Sequence, residues 1–206
     1  MSERVRGLSA PAPCPNGTTM PMAPPPDLAS LSLAEIAALA ESNALPPVER
    51  WNPTHCGDSE MRIASDGTWY HQGSPLGRQN MVRLFSTILR REPDGGYVLV
   101  TPVEKLDIAV DDAPFVAVEV KIEGAGAETT LAFRLNTGDI VTAGADHPLR
   151  FEAREDGPRP YVHVRGGLEA LVARPVYYEL AALALAGDEE RPGVWSNGAF
   201  FALDPA

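Results

Sequence analysis

Gly67-Thr68-Trp69-Tyr70-His71-Gln72-Gly73 and Gly138-Asp139-Ile140-Val141-Thr142-Ala143-Gly144 are the two stretches whose reading decides the fold. Each is extended in character and bracketed by glycines at the same spacing. Each leads to a Pro-Leu pair, Pro75-Leu76 or Pro148-Leu149, and then to a Tyr-Val-x-Val strand, at Tyr97 or Tyr161. One supersecondary unit used twice explains the pattern, and two packed units create a seam where clefts form.

Outward from these stretches, strands and helices mix without strict alternation, which favours α+β over a doubly wound parallel sheet. Met61 and Ile63 alternate with Arg62 and meet Asp66-Gly67, the residue pair a tight hairpin prefers. Met81, Val82, Leu84, Phe85, Ile88 and Leu89 repeat at helical spacing, with Arg78, Arg83, Arg90 and Arg91 at polar positions, and predict a helix over 78–91. Strands follow at 97–103, 106–110, 115–122 and 129–135. In the second unit, Ile140-Val141, 149–152 and 161–164 read as strands, and Leu168, Leu171 and Val172 suggest helix. Pro175 begins a further helix that Gly187 ends, and 194–203 reads as a last strand. The expected architecture is two tandem, structurally related α+β subdomains with mostly antiparallel sheets, over 27–123 and 124–206.

Ahead of them, residues 1–26 hold seven prolines and no apolar run fit for a signal peptide or a membrane span, and read as a disordered tail. Met20 or Met22 is a candidate later start. Ser32 and Glu35 form a capping box for a short helix with Leu33, Ile36, Leu39 and Ala40 on one face, which must dock on the body or on a partner. Trp51 is expected to pin the linker after Pro46-Pro47 to the core.

A length of 206 residues suffices for a core without covalent staples, and a formal charge of -11 repels phosphate backbones and anionic membranes. Nucleic acid and membrane are therefore not expected partners. With Cys14 in the tail, Cys56 is an unpaired thiol, which fits a reducing, cytoplasmic setting.

Chemistry-bearing residues are sparse. His55-Cys56-Gly57-Asp58 is the densest cluster, but neighbours in an extended segment point to opposite sides, and no second close His or Cys pair completes a ligand set. The simpler reading is a buried thiol beside a turn. The arginines of the helix from Arg78 to Arg91 are the basic concentration in an acidic chain and could hold an anion, mainly through Arg62, Arg78 and Arg83; the simpler reading is a solvated helix face, with Arg90-Arg91 complementing the helix C-terminus. Asp66, Trp69 and His71 sit close by in sequence as further ligand contacts. No nucleophile elbow, phosphate-binding glycine loop or His-Glu-x-x-His is present, and neither Asp111-Asp112 nor Glu189-Glu190 has a spacing for acid-base work.

Six stretches carry a resemblance. They are Trp51-x-Pro53 with Cys56-Gly57-Asp58; Ile63-Ala64-x-Asp66-Gly67-Thr68-Trp69; Gly73-Ser74-Pro75; Arg83-Leu84-Phe85; Leu99 to Lys105, containing Thr101-Pro102-Val103-Glu104-Lys105; and Leu168-Glu169-Ala170-Leu171 leading to Arg174-Pro175. The chain in these stretches resembles the mainly proteobacterial family called domain of unknown function 1285 (DUF1285), from about Pro26 to the C-terminus. The resemblance implies a repeated α+β architecture and a role in signal transduction, and it brings no catalytic residues.

The expectation is a non-enzymatic binding module, with no cofactor or metal, taking an acidic small molecule or a protein segment at the seam through Arg62, Asp66, Trp69, His71, Arg78 and Arg83. The rival is a hydrolase or metal-dependent enzyme built on His55, Cys56 and Asp58 with a distant histidine. A third reading is an interaction protein that docks through the helix at 33–41.

Overall fold

The computed structural model describes residues 45–154, 157–187 and 191–203. The expected tail at 1–26, the helix at 33–41 and Glu189-Glu190 lie outside them.

Strands β1 (His55–Ile63), β2 (Trp69–His71), β3 (Ser74–Pro75), β4 (Leu89–Arg91), β5 (Tyr97–Val100) and β6 (Glu104–Val110) form one sheet. A second sheet contains β7 (Phe115–Glu123), β8 (Thr130–Leu135), β9 (Ile140–Thr142), β10 (Leu149–Glu152), β11 (Arg159–Arg165) and β12 (Leu168–Val172). Helix α1 (Gln79–Thr87) lies between β3 and β4, and α2 (Arg174–Ala186) follows β12. A hairpin of β13 (Gly193–Ser196) and β14 (Ala199–Ala202) ends the described chain. The molecule is α+β and rich in sheet.

The two sheets share one strand order. The first runs β3-β2-β1-β6-β5-β4 and the second, read from its β9 edge, β9-β8-β7-β12-β11-β10. In both, the first and last strands of the unit meet in the middle as a parallel pair, and every other pairing is antiparallel. The quoted glycine-bracketed stretches are not themselves equivalent, because Trp69–His71 is the second strand of its unit and Ile140–Thr142 the third. The two Tyr-Val-x-Val segments do correspond, each lying in a fifth strand.

The sheets change over between Val110 and Phe115, ahead of the expected boundary after Glu123. The reason is local: the loop at 124–126 folds β7 back on β8, so β7 must join its hairpin partner's sheet. The expected helix over 78–91 stops at Thr87, where the β-branched pair Thr87-Ile88 weakens it. The turn at 94–96 then folds Leu89–Arg91 onto Tyr97–Val100 as a ladder, so Arg90-Arg91 do not cap a helix. Residues 168–172 are strand, not helix. Leu168, Ala170 and Val172 point inward at a period of two, and Gly166-Gly167, both at positive φ, turn β11 into β12. The expected single strand at 194–203 is a hairpin turned at Asn197-Gly198, a dipeptide suited to that turn. Helix α2 starts and stops as read, with Pro175 in its first turn and Gly187 just past its end.

One apolar core serves both sheets. Ile63, Trp69, Val82 and Leu89 from the first unit and Phe115, Phe133 and Leu168 from the second belong to the same buried cluster. Trp51 packs with Val98 and Val100 at the edge of the first sheet, as expected of a pin.

Polar fasteners cross the seam, and Asn136 is the most connected of them. Its backbone N–H donates to Val116 O (2.8 Å), and its side-chain Oδ1 accepts the Val116 N–H (3.0 Å). Its Nδ2 donates to Gly67 O in the β1–β2 turn (3.2 Å), and its carbonyl accepts Gln79 Nε2 at the start of α1 (2.8 Å). Gly67 has φ +82, and a Cβ there would lie 2.5 Å from Asn136 Nδ2 and 2.9 Å from Val116 Cγ2. Only glycine lets the turn come so close. Arg165 donates to Ser86 O (2.6 Å) from above the Phe115 ring, and Arg91 donates to Gly167 O (3.1 Å).

Asn136→Ala removes the partners of a half-buried N–H and a carbonyl at once. At about 1–3 kcal/mol for each polar group left unsatisfied, urea denaturation should show a loss of about 2 kcal/mol or more. A loss below half of that would show that water replaces the amide.

A candidate ligand cleft between the two units

The seam is closed through its middle and open at one end. Trp69 is 1% exposed and stacks on Phe85 with ring centroids 6.4 Å apart. Burying an indole of 150–250 Å² removes several kcal/mol worth of apolar surface from water, on the order of 4 kcal/mol at 25 cal/mol per Å². Trp69 is thus a filler of the seam, not an exposed platform for a ligand.

At the open end lies a cleft of about 340 Å³. One wall is Ser65-Asp66 from the β1–β2 turn. The other is Pro158, Arg159 and Pro160 at the start of β11 together with Arg174, Tyr177 and Tyr178 in the first turns of α2. The β1–β2 turn is set locally, by the Gly67 N–H bonded to Ala64 O (2.9 Å) and the Thr68 N–H bonded to Asp66 Oδ1 (2.9 Å). The Thr68 bond holds the Asp66 carboxyl below the usual carboxylate range. Across the gap, Tyr178 is 63% exposed and lies beside Tyr177 with ring centroids 6.1 Å apart. Arg174 is exposed at the N-terminal end of α2, where a positive charge adds to the helix's own field instead of cancelling it. Among the described residues no ion pair to Arg174 is formed.

The wall behind Arg159 is fastened by polar contacts. Asp112, in the link between the sheets, accepts Arg159 Nη1 (2.6 Å) and the Tyr161 hydroxyl (2.7 Å), while the Arg150 guanidinium lies 4.4 Å from the Tyr161 ring centre. Burial, helped by the hydrogen bond to Asp112, pushes the Tyr161 phenol up to about 12.

The six expected contacts do not gather in one place. Asp66 lines the cleft. Arg62 pairs across the strand with Tyr70 and so faces away from Ile63 and Trp69; its guanidinium holds Asp111 and lies over the Tyr70 ring. His71 is exposed opposite Met61. Arg78 stands at the N-cap position of α1 without a side-chain capping bond and is exposed, and Arg83 lies against the turn at Gly138. The residues missed, Arg174, Tyr177 and Tyr178, lie in Arg174-Pro175-Val176-Tyr177-Tyr178, and two adjacent tyrosines on a helix opened by proline were the available signal.

His55, Cys56 and Asp58 are exposed along β1, so Cys56 is not the buried thiol expected. His147 and His163 stack on each other in the second unit, with centroids 6.0 Å apart. Among the described residues no group of three or more His, Cys, Asp or Glu side chains is arranged to hold a metal ion. No described helix is long and apolar enough to cross a membrane.

Residues 46–113 match the family model for the domain of unknown function (DUF1285), N-terminal domain, and residues 114–203 match that for the protein of unknown function (DUF1285), C-terminal domain. The chain belongs to the DUF1285 family. The junction of the two family domains, 113 to 114, falls where the chain passes from one sheet to the other. A crystal structure of a DUF1285 family protein from Silicibacter pomeroyi DSS-3 is similar, with 49% identity, a TM-score of 0.73, and coverage of 83% of this chain and 93% of that one. A DUF1285 family protein from Shewanella baltica OS155 shares 27% identity over 60% of this chain and 91% of its own, with a TM-score of 0.47. No curated protein matches.

The Tyr161 phenol carries a linkage of known sign. Its folded value lies above the unfolded value of about 10, so the stabilisation is complete below pH ~10 and is lost as pH rises through about 12. A difference absorbance titration of wild type against Tyr161→Phe should show the missing phenolate appearing near pH 12. A step near pH 10 would contradict the Asp112 contact.

Proposed function

We propose that this DUF1285 protein is a non-enzymatic binding module with a regulatory, signal-transducing role, and that it takes a small acidic ligand in the cleft between its two units. The observation that carries the reading is the cleft itself, with walls supplied by different units and an Arg174 guanidinium at its mouth. Pro158, Pro160 and the two tyrosines offer apolar area, and the guanidinium offers a planar fork for a carboxylate. Asp66 on the opposite wall repels a second carboxylate and accepts an N–H or O–H, which favours ligands with an acid group at one end and a donor at the other.

A cleft of this size holds a metabolite or the end of a peptide. A ligand that touches both walls stabilises both units by mass action, about 2.7 kcal/mol at a hundredfold excess over Kd. Occupancy would thereby be felt across the seam, which suits a regulatory module.

Calorimetry with amino acids, hydroxy acids and short acidic peptides, each against its carboxamide, tests the reading. Arg174→Ala should weaken carboxylate binding at least tenfold, about 1.4 kcal/mol, with little change in melting temperature because Arg174 is exposed. Carboxamides that bind as well as the acids, or an Arg174→Ala variant with wild-type affinity, would contradict it.

A further inference from the structure

The cleft does not stop at Tyr177. Past that ring lies an adjoining hollow of about 390 Å³, and Gly157, Pro158 and Tyr177 border both spaces. The hollow continues along α2 past Ala181, Ala184 and Leu185. Together the two form a groove that follows the helix from Arg174 to Leu185, about 17 Å at 1.5 Å per residue. Apolar side chains on its rim stand in water, Tyr178 at 63% exposure and Leu185 at 79%. One end carries the Arg174 guanidinium.

A groove of this length fits an extended chain. Polyproline II segments dock on aromatic-lined troughs because their shape is already fixed and little entropy is lost. Two residues of such a segment rise about 6.2 Å, which matches the 6.1 Å between the Tyr177 and Tyr178 rings. The protein's own sequence contains a segment of this kind with one charge at its end, Pro21-Met22-Ala23-Pro24-Pro25-Pro26-Asp27. In polyproline II form it covers about 19 Å at 3.1 Å per residue, the length of the groove. Its three consecutive prolines hold φ at about −65° and have no N–H to satisfy. Placed with Asp27 on Arg174, the segment lays the three prolines on the tyrosines and brings Met22 beside Leu185. Asp27 also carries the first N–H after the prolines, a donor for Asp66 on the opposite wall.

The tether is long enough. The described chain begins at Leu45, and Glu49 Oε1 lies 2.7 Å from where a Gly166 Cβ would be, at the turn from β11 to β12. The cleft is at the other end of β11, about 20 Å away at 3.3 Å per residue. From Asp27 to Leu45 the chain reaches about 60 Å extended, and about 40 Å with the expected helix at 33–41. A short tether gives a local concentration in the millimolar range, so a weak contact suffices.

We infer that this groove is a polyproline II docking surface whose occupant is the protein's own segment 21–27, which covers the cleft. The consequence for ligands rests on the acid-binding reading above: an acid must displace the Asp27 carboxylate from Arg174.

Paramagnetic relaxation in the full chain, with Cys14 and Cys56 changed to serine, tests the docking with no ligand present. A nitroxide on Thr19→Cys should bleach the Leu185 and Leu203 amides, and one on Leu28→Cys those of Ser65 and Asp66. Asp27→Arg and Arg174→Asp should each cut these effects at least fivefold, and the two together should restore them. Acid affinity by calorimetry should rise at least threefold in Asp27→Arg. No bleaching, bleaching that survives both single reversals, or bleaching seen only between separate copies overturns the inference. So does saturation of the groove by a free peptide of residues 19–29 while the tethered segment bleaches nothing, which assigns the groove to a partner's segment. Acids that bind while the nitroxides bleach nothing sink the docking alone, and bleaching without acid binding sinks the ligand reading alone.

Discussion

Asn136 holds this molecule's two halves in register. From one position just past β8 it ends the β7–β8 ladder at Val116 and grips the β1–β2 turn through Gly67 O, and its carbonyl takes the first turn of α1. The grip is close because Gly67 has no side chain to keep the turn away. The same turn carries Ser65 and Asp66 into the cleft, so the position of one cleft wall is set by an amide that belongs to the other unit. Asp112 does the corresponding work on the opposite wall, tying the link between the sheets to Arg159 and Tyr161.

Repetition of the strand order explains why such a junction exists. Each unit is two three-stranded meanders whose inner strands meet in parallel, an arrangement that leaves one sheet face to bury. Neither unit buries its face alone. Trp69 and Phe85 of the first and Phe115 of the second fill a common interior, and both units contribute to a single cluster. The units differ where they are decorated: the first carries a helix between its third and fourth strands, and the second carries its helix after the sixth. That second helix supplies the tyrosines and Arg174 of the cleft.

Local chemistry was legible in the sequence, and pairing between distant segments was not. Asp66-Gly67 announced its hairpin, Pro175 and Gly187 marked the ends of α2, and the strands at 115–122 and 129–135 could be read directly. Leu168 to Val172 was misread because Leu168, Leu171 and Val172 also satisfy a helical period over so short a run, and the Gly166-Gly167 turn that decides for strand lies just before it. The internal repeat was visible as a pattern, but its copies were set one strand out of step, since glycine-bracketed extended stretches recur at several turns of a meander. Asn136 gave no signal at all: an Asn-Thr-Gly turn looks alike whether its amide faces water or another unit. The cleft was hidden for a related reason, because Asp66 and Arg174 are brought together only by the parallel pairings at the centre of each sheet.

A single shared core, locked across the seam by Asn136, requires that the two units open together. Native-state amide hydrogen exchange measures this directly. The slowest amides of the first sheet, around Ile63 and Leu99, and of the second, around Phe133 and Val162, should report the same opening free energy, equal to that of global unfolding. Two distinct values, with one sheet exchanging through an opening that leaves the other protected, would contradict the account.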